Sequence, residues 1–267
     1  MVLGLALLGV VTWLVGLDEG SSGSNGVASP EPERLAVEVV AEFPHDRSAY
    51  TQGLLWYGDR LYESTGQYGE SSVRRVDPAT GKVEAAVPLS PEFFGEGLAR
   101  MGERLIQLTW RAGVTFVRDG ETLEELDRLR YDGEGWGLCY DGRQLVMSDG
   151  TSVLTFRDPE DFDVLRRLEV TLQDRPIGRL NELECAEGWV YANVYTTDFI
   201  VRIDPESGRV AALIDASGLL RPDEAVGVDV LNGIAYDPER QAFYLTGKLW
   251  PKLFEVRFVT AAESVGF

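Results

Sequence analysis

The sequence predicts an all-β protein, a five-bladed β-propeller of four-stranded antiparallel blades around a central channel. Three observations carry that prediction. One type of phrase recurs five times, as TQGLLW (51–56), GEGLAR (95–100), GWGLCY (135–140), LNELEC (180–185) and LNGIAY (231–236). Each copy sets polar or aromatic residues just ahead of a small apolar run, and the copies lie about 40 to 50 residues apart, the period of propeller blades. Between them no long amphipathic helical pattern occurs. Instead, strand-like runs are punctuated by Gly58-Asp59, Asp77-Pro78, Asp141-Gly142, Asp204-Pro205 and Asp237-Pro238, the chemistry of hairpins and corners.

The elements follow in chain order. Residues 2–17 form a nearly unbroken apolar run, the length of a signal-peptide core or a short membrane anchor. No basic segment precedes it and no Cys directly follows it, so a lipoprotein is not expected. Residues 18–34 read as a flexible Gly/Ser/Pro linker, and the folded domain is expected over 35–267. The expected location is therefore outside the cytoplasm, either exported to the periplasm or exterior or anchored facing it through residues 2–17. LAVEVVAEF (35–43) reads as a strand, expected to join the two chain ends by closing the first blade. Each repeat then supplies four strand-like runs: QGLLWY, GDRLYEST, SSVRRVDP and GKVEAAVPL in the first, LNELECAE, GWVYANVY, DFIVRIDP and GRVAALID in the fourth. Residues 162–168 and 216–220 read as short helical or loop excursions.

Composition narrows the function. The chain is 44% hydrophobic and 26% charged, as folded globular domains are. Its formal net charge is −19, which argues against nucleic acid, since phosphate binding needs a clustered positive surface. There is one His, His45, and there are two Cys, Cys139 and Cys185. A His/Cys zinc site is thereby disfavoured, and a Ser-His-Asp or Cys-His mechanism would have to use His45 alone. The two Cys fall near the same point of adjacent repeats. They are expected as buried free thiols, with a bridge as the alternative for an exported domain. Only Lys82, Lys248 and Lys252 are lysines, the other basic residues being Arg. Two of the three sit in TGKLWPK (246–252), which directs attention to lysine chemistry there.

Equivalent positions of a propeller face one axis, so Gln52, Glu96, Trp136, Asn181, Glu182 and Asn232 are expected near one another. Glu96, beside Phe93 and Phe94, is the carboxylate best placed to be desolvated, raised in pKa and used for proton transfer; capping a loop or pairing with Arg is its structural alternative. Glu134 neighbours Trp136, and both Trp136 and Trp110 serve equally well as pocket walls or core. Asn181 and Glu182 can bind a ligand amide or satisfy channel backbone groups. Lys248 can stabilise an oxyanion or pair with a carboxylate, and Lys252 is expected to be solvated.

As a set, YTQGL (50–54), FGEGL (94–98), GWGL (135–138) with VMSDGT (146–151), LNELE (180–184), YANVY through VRIDP (191–205), LNGIAYD (231–237) and TGKLWPKLFEV (246–256) resemble the plant- and bacterial-type glutaminyl-peptide cyclotransferases. The resemblance spans all five repeats. It implies a five-bladed propeller acting without a catalytic metal on peptide or protein N-termini that begin with glutamine, forming pyroglutamate and releasing ammonia. It implies Glu96 as the proton carrier and Gln52, Asn181 and Lys248 as holders of the amide oxygen. Trp110, Trp136, Phe94 and Tyr195 become pocket walls, with Glu182 beside them. One departure is Tyr195, where the family motif carries Trp; the wall keeps an aromatic face and gains a hydroxyl. No cofactor is expected, although a structural Ca²⁺ in the channel is compatible with this reading, and a monomer is expected. Two other readings remain: a metal-dependent propeller lactonase or hydrolase, with Glu96, Glu182, Asn181 and Asn232 as ligands, and a non-catalytic envelope binding propeller.

Overall fold

The computed structural model describes residues 30–261. The apolar run 2–17 and residues 18–29 of the predicted linker lie outside the described residues, while Glu33 and Arg34, expected as linker, already belong to the first strand. Among those described, every regular element is a strand, which bears out the all-β expectation, and no helix is long and apolar enough to cross a membrane.

The first strand, β1 (Glu33–Pro44), precedes three separate four-stranded antiparallel sheets. The first sheet holds β2 (Thr51–Tyr57), β3 (Arg60–Thr65), β4 (Ser72–Asp77) and β5 (Lys82–Pro88). The second holds β6 (Gly95–Met101), β7 (Arg104–Thr109), β8 (Val114–Asp119) and β9 (Glu125–Arg130). The third holds β10 (Leu138–Tyr140), β11 (Leu145–Met147), β12 (Val153–Arg157) and β13 (Val164–Glu169). A two-strand hairpin, β14 (Thr171–Leu172) and β15 (Arg175–Pro176), leads on to β16 (Leu180–Ala186), β17 (Trp189–Val194), β18 (Phe199–Ile203) and β19 (Val210–Asp215). The last strands are β20 (Leu231–Asp237), β21 (Ala242–Gly247) and β22 (Lys252–Thr260). These seven and β1 form one eight-stranded sheet, ordered β16-β17-β18-β19-β1-β22-β21-β20.

Two expectations need correction here. β1 belongs to the last sheet, not the first: it pairs antiparallel with β22 and parallel with β19. Its long extended run satisfies both neighbours' free edges at once, as an otherwise unpaired edge requires. Residues 162–168 are not an excursion beyond their first two positions, because Val164–Glu169 is strand β13. Its alternation of exposed and half-buried residues is that of an outer strand with one wet face.

Each repeated phrase opens or immediately precedes the first strand of a four-strand run. Those first strands pack in the order β2, β6, β10, β16, β20 and back to β2. Apolar cores fill the spaces between neighbouring sheets. Tyr62, Val73, Leu98 and Leu105 lie between the first and second, and Ile106, Leu108, Leu138 and Leu145 between the second and third. The close approach of first strands has a sequence cause. A Cβ on Gly53 would stand 2.6 Å from Leu98 N, and one on Gly97 2.5 Å from Leu138 N. The equivalent position in β16 is Glu182, whose carboxylate accepts hydrogen bonds from Leu54 N at 3.1 Å and Ile234 N at 2.8 Å. One side chain thus ties β16 to β2 and β20.

Cys139 and Cys185 form a disulfide, against the expectation of free thiols. They sit on β10 and β16, neighbouring first strands, with Cα atoms 5.4 Å apart, within bridging reach.

Candidate active site

In a hairpin, the start of one strand and the end of the next lie at the same end of the sheet. Here that end surrounds a cavity of about 260 Å³. Tyr50, Phe94 and Trp136 come from the residues just before β2, β6 and β10; Gln52, Glu96 and Asn181 come from the starts of β2, β6 and β16. Gln67, Trp110, Tyr195 and Lys248 follow the ends of β3, β7, β17 and β21. The repeat therefore projects chemically different side chains into one space from equivalent positions.

Glu96 is buried, and its carboxyl is pushed well above the usual carboxylate range by desolvation; Lys248 opposes the shift and Glu134 adds to it. Gln52 Nε2 donates to Glu96 Oε1 at 3.0 Å, while Gln52 Oε1 accepts from Asn232 Nδ2 at 3.2 Å. Asn232 also donates to Thr51 O at 3.0 Å. The chain Asn232–Gln52–Glu96 fixes one face of the carboxyl and leaves the other to the cavity.

Lys248 is buried, and desolvation brings its amine down to about 8 against the opposing pull of Glu96 and Asp229. Its Nζ stands 4.7 Å from the centre of the Tyr50 ring and 5.2 Å from that of Tyr195, within cation–π range. Tyr50 donates its hydroxyl to Asp229 Oδ2 at 3.0 Å. Asn181 is buried, and its Oδ1 has no hydrogen-bond partner, an acceptor available to a ligand donor.

Glu134 fixes the walls. Its Oε2 accepts from Trp110 Nε1 at 2.7 Å and Trp136 Nε1 at 3.0 Å, and its Oε1 from Arg111 Nε at 2.8 Å. Burial raises the Glu134 pKa, but these donors more than offset it and hold the group ionised. Trp136 packs edge-on to Tyr195 at 5.5 Å between ring centres, and Phe94 packs against Trp110 at 5.5 Å and Tyr68 at 5.4 Å.

Of the residues singled out from sequence, Glu96, Lys248, Asn181, Gln52, Trp110, Trp136, Phe94 and Tyr195 line this cavity. Glu182 does not; both of its carboxylate oxygens are engaged by backbone amides in the floor. Asn232 stands behind Gln52, and Phe93 turns into a core with Leu89, Val114 and Phe116. Lys252 is ion-paired to Glu42 at 2.5 Å and Glu224 at 2.7 Å, not simply solvated. Two of the four ligands of the lactonase reading are engaged elsewhere, Glu182 by the Leu54 and Ile234 amides and Asn232 by Thr51 O and Gln52 Oε1, and among the described residues no three His, Cys, Asp or Glu side chains gather as a metal site. Tyr50 and Gln67 were missed. Tyr50 adjoins TQGL and shares the pre-strand position of Phe94, a usable signal. Gln67 sits in a turn at φ 87°, for which the local sequence carries none.

Fold and cavity define a class: an all-β protein in which a desolvated carboxyl and a depressed amine share an aromatic-walled space, the equipment of acid–base group transfer. The family model for glutamine cyclotransferase matches residues 12–258. A glutaminyl-peptide cyclotransferase of Arabidopsis thaliana is 43% identical over 274 residues, covering 100% of this chain and 85% of the relative. The crystal structure of Myxococcus xanthus glutaminyl cyclase superposes with a TM-score of 0.79 at 40% identity, covering 87% of this chain and 100% of that one. The chain belongs to the glutamine cyclotransferase family.

Proposed function

We propose that the protein converts the N-terminal glutamine of peptides and proteins to pyroglutamate with release of ammonia, using Glu96 as proton carrier and no catalytic metal. The observation that carries the mechanism is the desolvated Glu96 carboxyl facing Lys248 across a cavity walled by Trp110, Trp136 and Tyr195. The substrate's α-nitrogen attacks the side-chain amide carbon of the same residue. As that C–N bond forms, the α-nitrogen gives one proton to Glu96, and Glu96 gives one to the amide nitrogen. The old C–N bond then breaks and ammonia leaves. Lys248 Nζ and the side-chain amide N–H groups of Gln52 and Asn181 donate to the oxygen of the tetrahedral intermediate. The aromatic walls keep the flexible glutamine chain bent into its reactive conformer, where proximity supplies much of the acceleration.

The five-bladed propeller is part of the proposal. The cyclic packing of β2, β6, β10, β16 and β20 supports it. The eight-stranded sheet then counts as two blades, β16–β19 and β20–β22 with β1, joined through the β1–β19 pairing. The domain is taken as 35–267, working as a monomer outside the cytoplasm, with residues 2–17 as signal or anchor and 18–34 as linker. The Cys139–Cys185 bridge supports an oxidising compartment.

The test is mass spectrometry of a glutamine-initiated peptide incubated with the purified protein, with and without EDTA, beside an enzyme-free control for spontaneous cyclisation. Loss of one ammonia, faster than control and indifferent to chelator, is expected. No acceleration by folded protein overturns the activity, and chelator sensitivity overturns the metal-free mechanism.

A further inference from the structure

The chain's single histidine lies outside the cavity, and the mechanism above does not use it. His45 follows β1, in the connection to β2. Its backbone N–H donates to Pro251 O at 2.9 Å, its Nδ1 lies 2.8 Å from Trp250 O, and its Nε2 lies 3.1 Å from Glu63 Oε1. A carbonyl oxygen and a carboxylate can only accept, so both ring nitrogens carry hydrogen and the ring is an imidazolium. Burial works against that charge. The Glu63 carboxylate, the hydrogen bond to Trp250 and the field of Asp46 outweigh it and raise the His45 pKa. Glu63 is itself buried, accepts Thr51 Oγ1 at 2.7 Å and lies 4.0 Å from Arg74, which bonds Asp46 at 2.8 Å.

The two carbonyls that His45 holds belong to the turn that presents Lys248. In that turn Leu249 adopts φ 63°, an unfavourable conformation for a branched side chain that surrounding contacts must maintain. Asp229 N donates to Lys248 O at 2.9 Å and Trp250 N to Gly247 O at 3.2 Å. Leu249 N donates to Ala49 O at 2.7 Å, Lys248 N to Val230 O at 3.0 Å, and Trp250 Nε1 to Asp229 O at 2.9 Å. His45 is the one residue among them that holds consecutive carbonyls of the turn, Trp250 O with its ring and Pro251 O with its backbone amide.

We infer that His45, locked by Glu63, is a positioning residue that holds the 247–251 turn so that the Lys248 amine stays inside the cavity. It touches no reacting atom; its ring acts through the Trp250 carbonyl, while its backbone amide holds Pro251 O in every variant. The kinetic consequence rests on the cyclotransferase reading, but the placement of the amine does not, so the test reads both.

The first readout is competitive acetylation with acetic anhydride across pH, followed by fragmentation mass spectrometry that resolves the three lysines, Lys248 and Lys252 lying in one Arg-bounded peptide. It follows Lys248 against Lys82 and Lys252 without any turnover. The second is kcat and KM for a glutamine-initiated peptide. The variants are His45→Ala, His45→Asn, whose amide can reach the Trp250 carbonyl in place of Nδ1, and His45→Gln, whose amide reaches Glu63 in place of Nε2. In His45→Ala, Lys248 is expected to label more freely and with a midpoint moved up toward that of an ordinary lysine. There kcat should fall about ten-fold or more while KM moves less. His45→Asn should recover most of both readouts, and His45→Gln little. The Asn and Gln proteins decide the matter even where the Ala protein does not fold. A wild-type Lys248 labelling midpoint in folded His45→Ala overturns the proposal, and so does Asn performing no better than Gln. Altered labelling with unchanged kcat leaves the placement standing and counts instead against the role given to Lys248 in turnover.

Discussion

Glu96 and Lys248 sit in the same desolvated space, and each is moved toward neutrality by it. Replacing Glu96 by Gln keeps the shape and the Gln52 contact but removes the transferable proton. Turnover should fall about 10²–10⁴-fold, the usual worth of a general acid–base group, with an unchanged thermal midpoint; a wild-type rate would remove Glu96 from the mechanism. In the proposed mechanism Lys248 serves the oxyanion as an ammonium, and its charged fraction declines as pH rises through about 8. The kcat profile should therefore fall on that alkaline side. In Lys248→Arg, whose guanidinium keeps its charge, whatever activity survives should hold to higher pH, and a limb that stays put would belong to another group. Eight of the nine residues singled out for the site line the cavity; the repeat gives Gln52, Glu96, Trp136 and Asn181 their common end of the sheets, whereas Trp110, Tyr195 and Lys248 rest on the family resemblance. Glu182 is misread through the same repeat: its repeat position is that of Gly53 and Gly97, so its side chain goes to the crowded floor where first strands meet. Repeat position identifies the end of a strand, but not whether a side chain there faces ligand or backbone.

At the level of elements, the junctions between sheets are where titration and oxidation reach the fold. The His45–Glu63 pair joins the connection after β1 to β3. His45 has a raised pKa when folded, so its contribution is fully present below its unfolded value of about 6.5 and is lost as pH rises through the higher folded value. Glu63 has a lowered pKa, because the His45 charge, their hydrogen bond, Arg74 and Thr51 outweigh the desolvation that would raise it. Its contribution is present above about 4.5 and is lost as pH falls through the lower folded value. Urea midpoints should decline above neutrality in the natural protein, and His45→Gln should remove much of that decline; an identical slope in both would refute the linkage. The Cys139–Cys185 bridge closes a separation of 46 residues, for which chain entropy gives about 4 kcal/mol. Denaturant unfolding with and without reductant should differ by roughly 2–4 kcal/mol, and no difference would mean that the bridge constrains nothing the sheets do not already fix. The Cys pairing was not legible in sequence, since equivalent repeat positions give no distance between neighbouring first strands. The strand pattern was legible nearly throughout, because period-two alternation and turn residues are local. The partners of β1 were not, because an extended run states that it will pair but not with which edge.

For the whole molecule, the order of the sheets follows from the repeat, whereas the closing of the chain on itself does not. Three sheets are made of consecutive strands, each able to pair as soon as its four strands exist. The last sheet is different: β1, at the start of the described chain, lies between β19 and β22. If those pairings carry the closure, shortening the chain before β22 should cost far more than the nine residues of that strand, leaving β1 without its antiparallel partner. Protease resistance of a chain ending at residue 251 should collapse across β1 and β19–β21 while β2–β9 keep more of theirs. Uniform resistance would show that β1 is dispensable. The same pairing bears on biosynthesis. While a ribosome is still making the chain, its earliest strand must wait for its latest, some two hundred residues behind. Until then the three earlier sheets can form one after another, but the first described strand has no antiparallel partner and the ring of sheets stays unsealed.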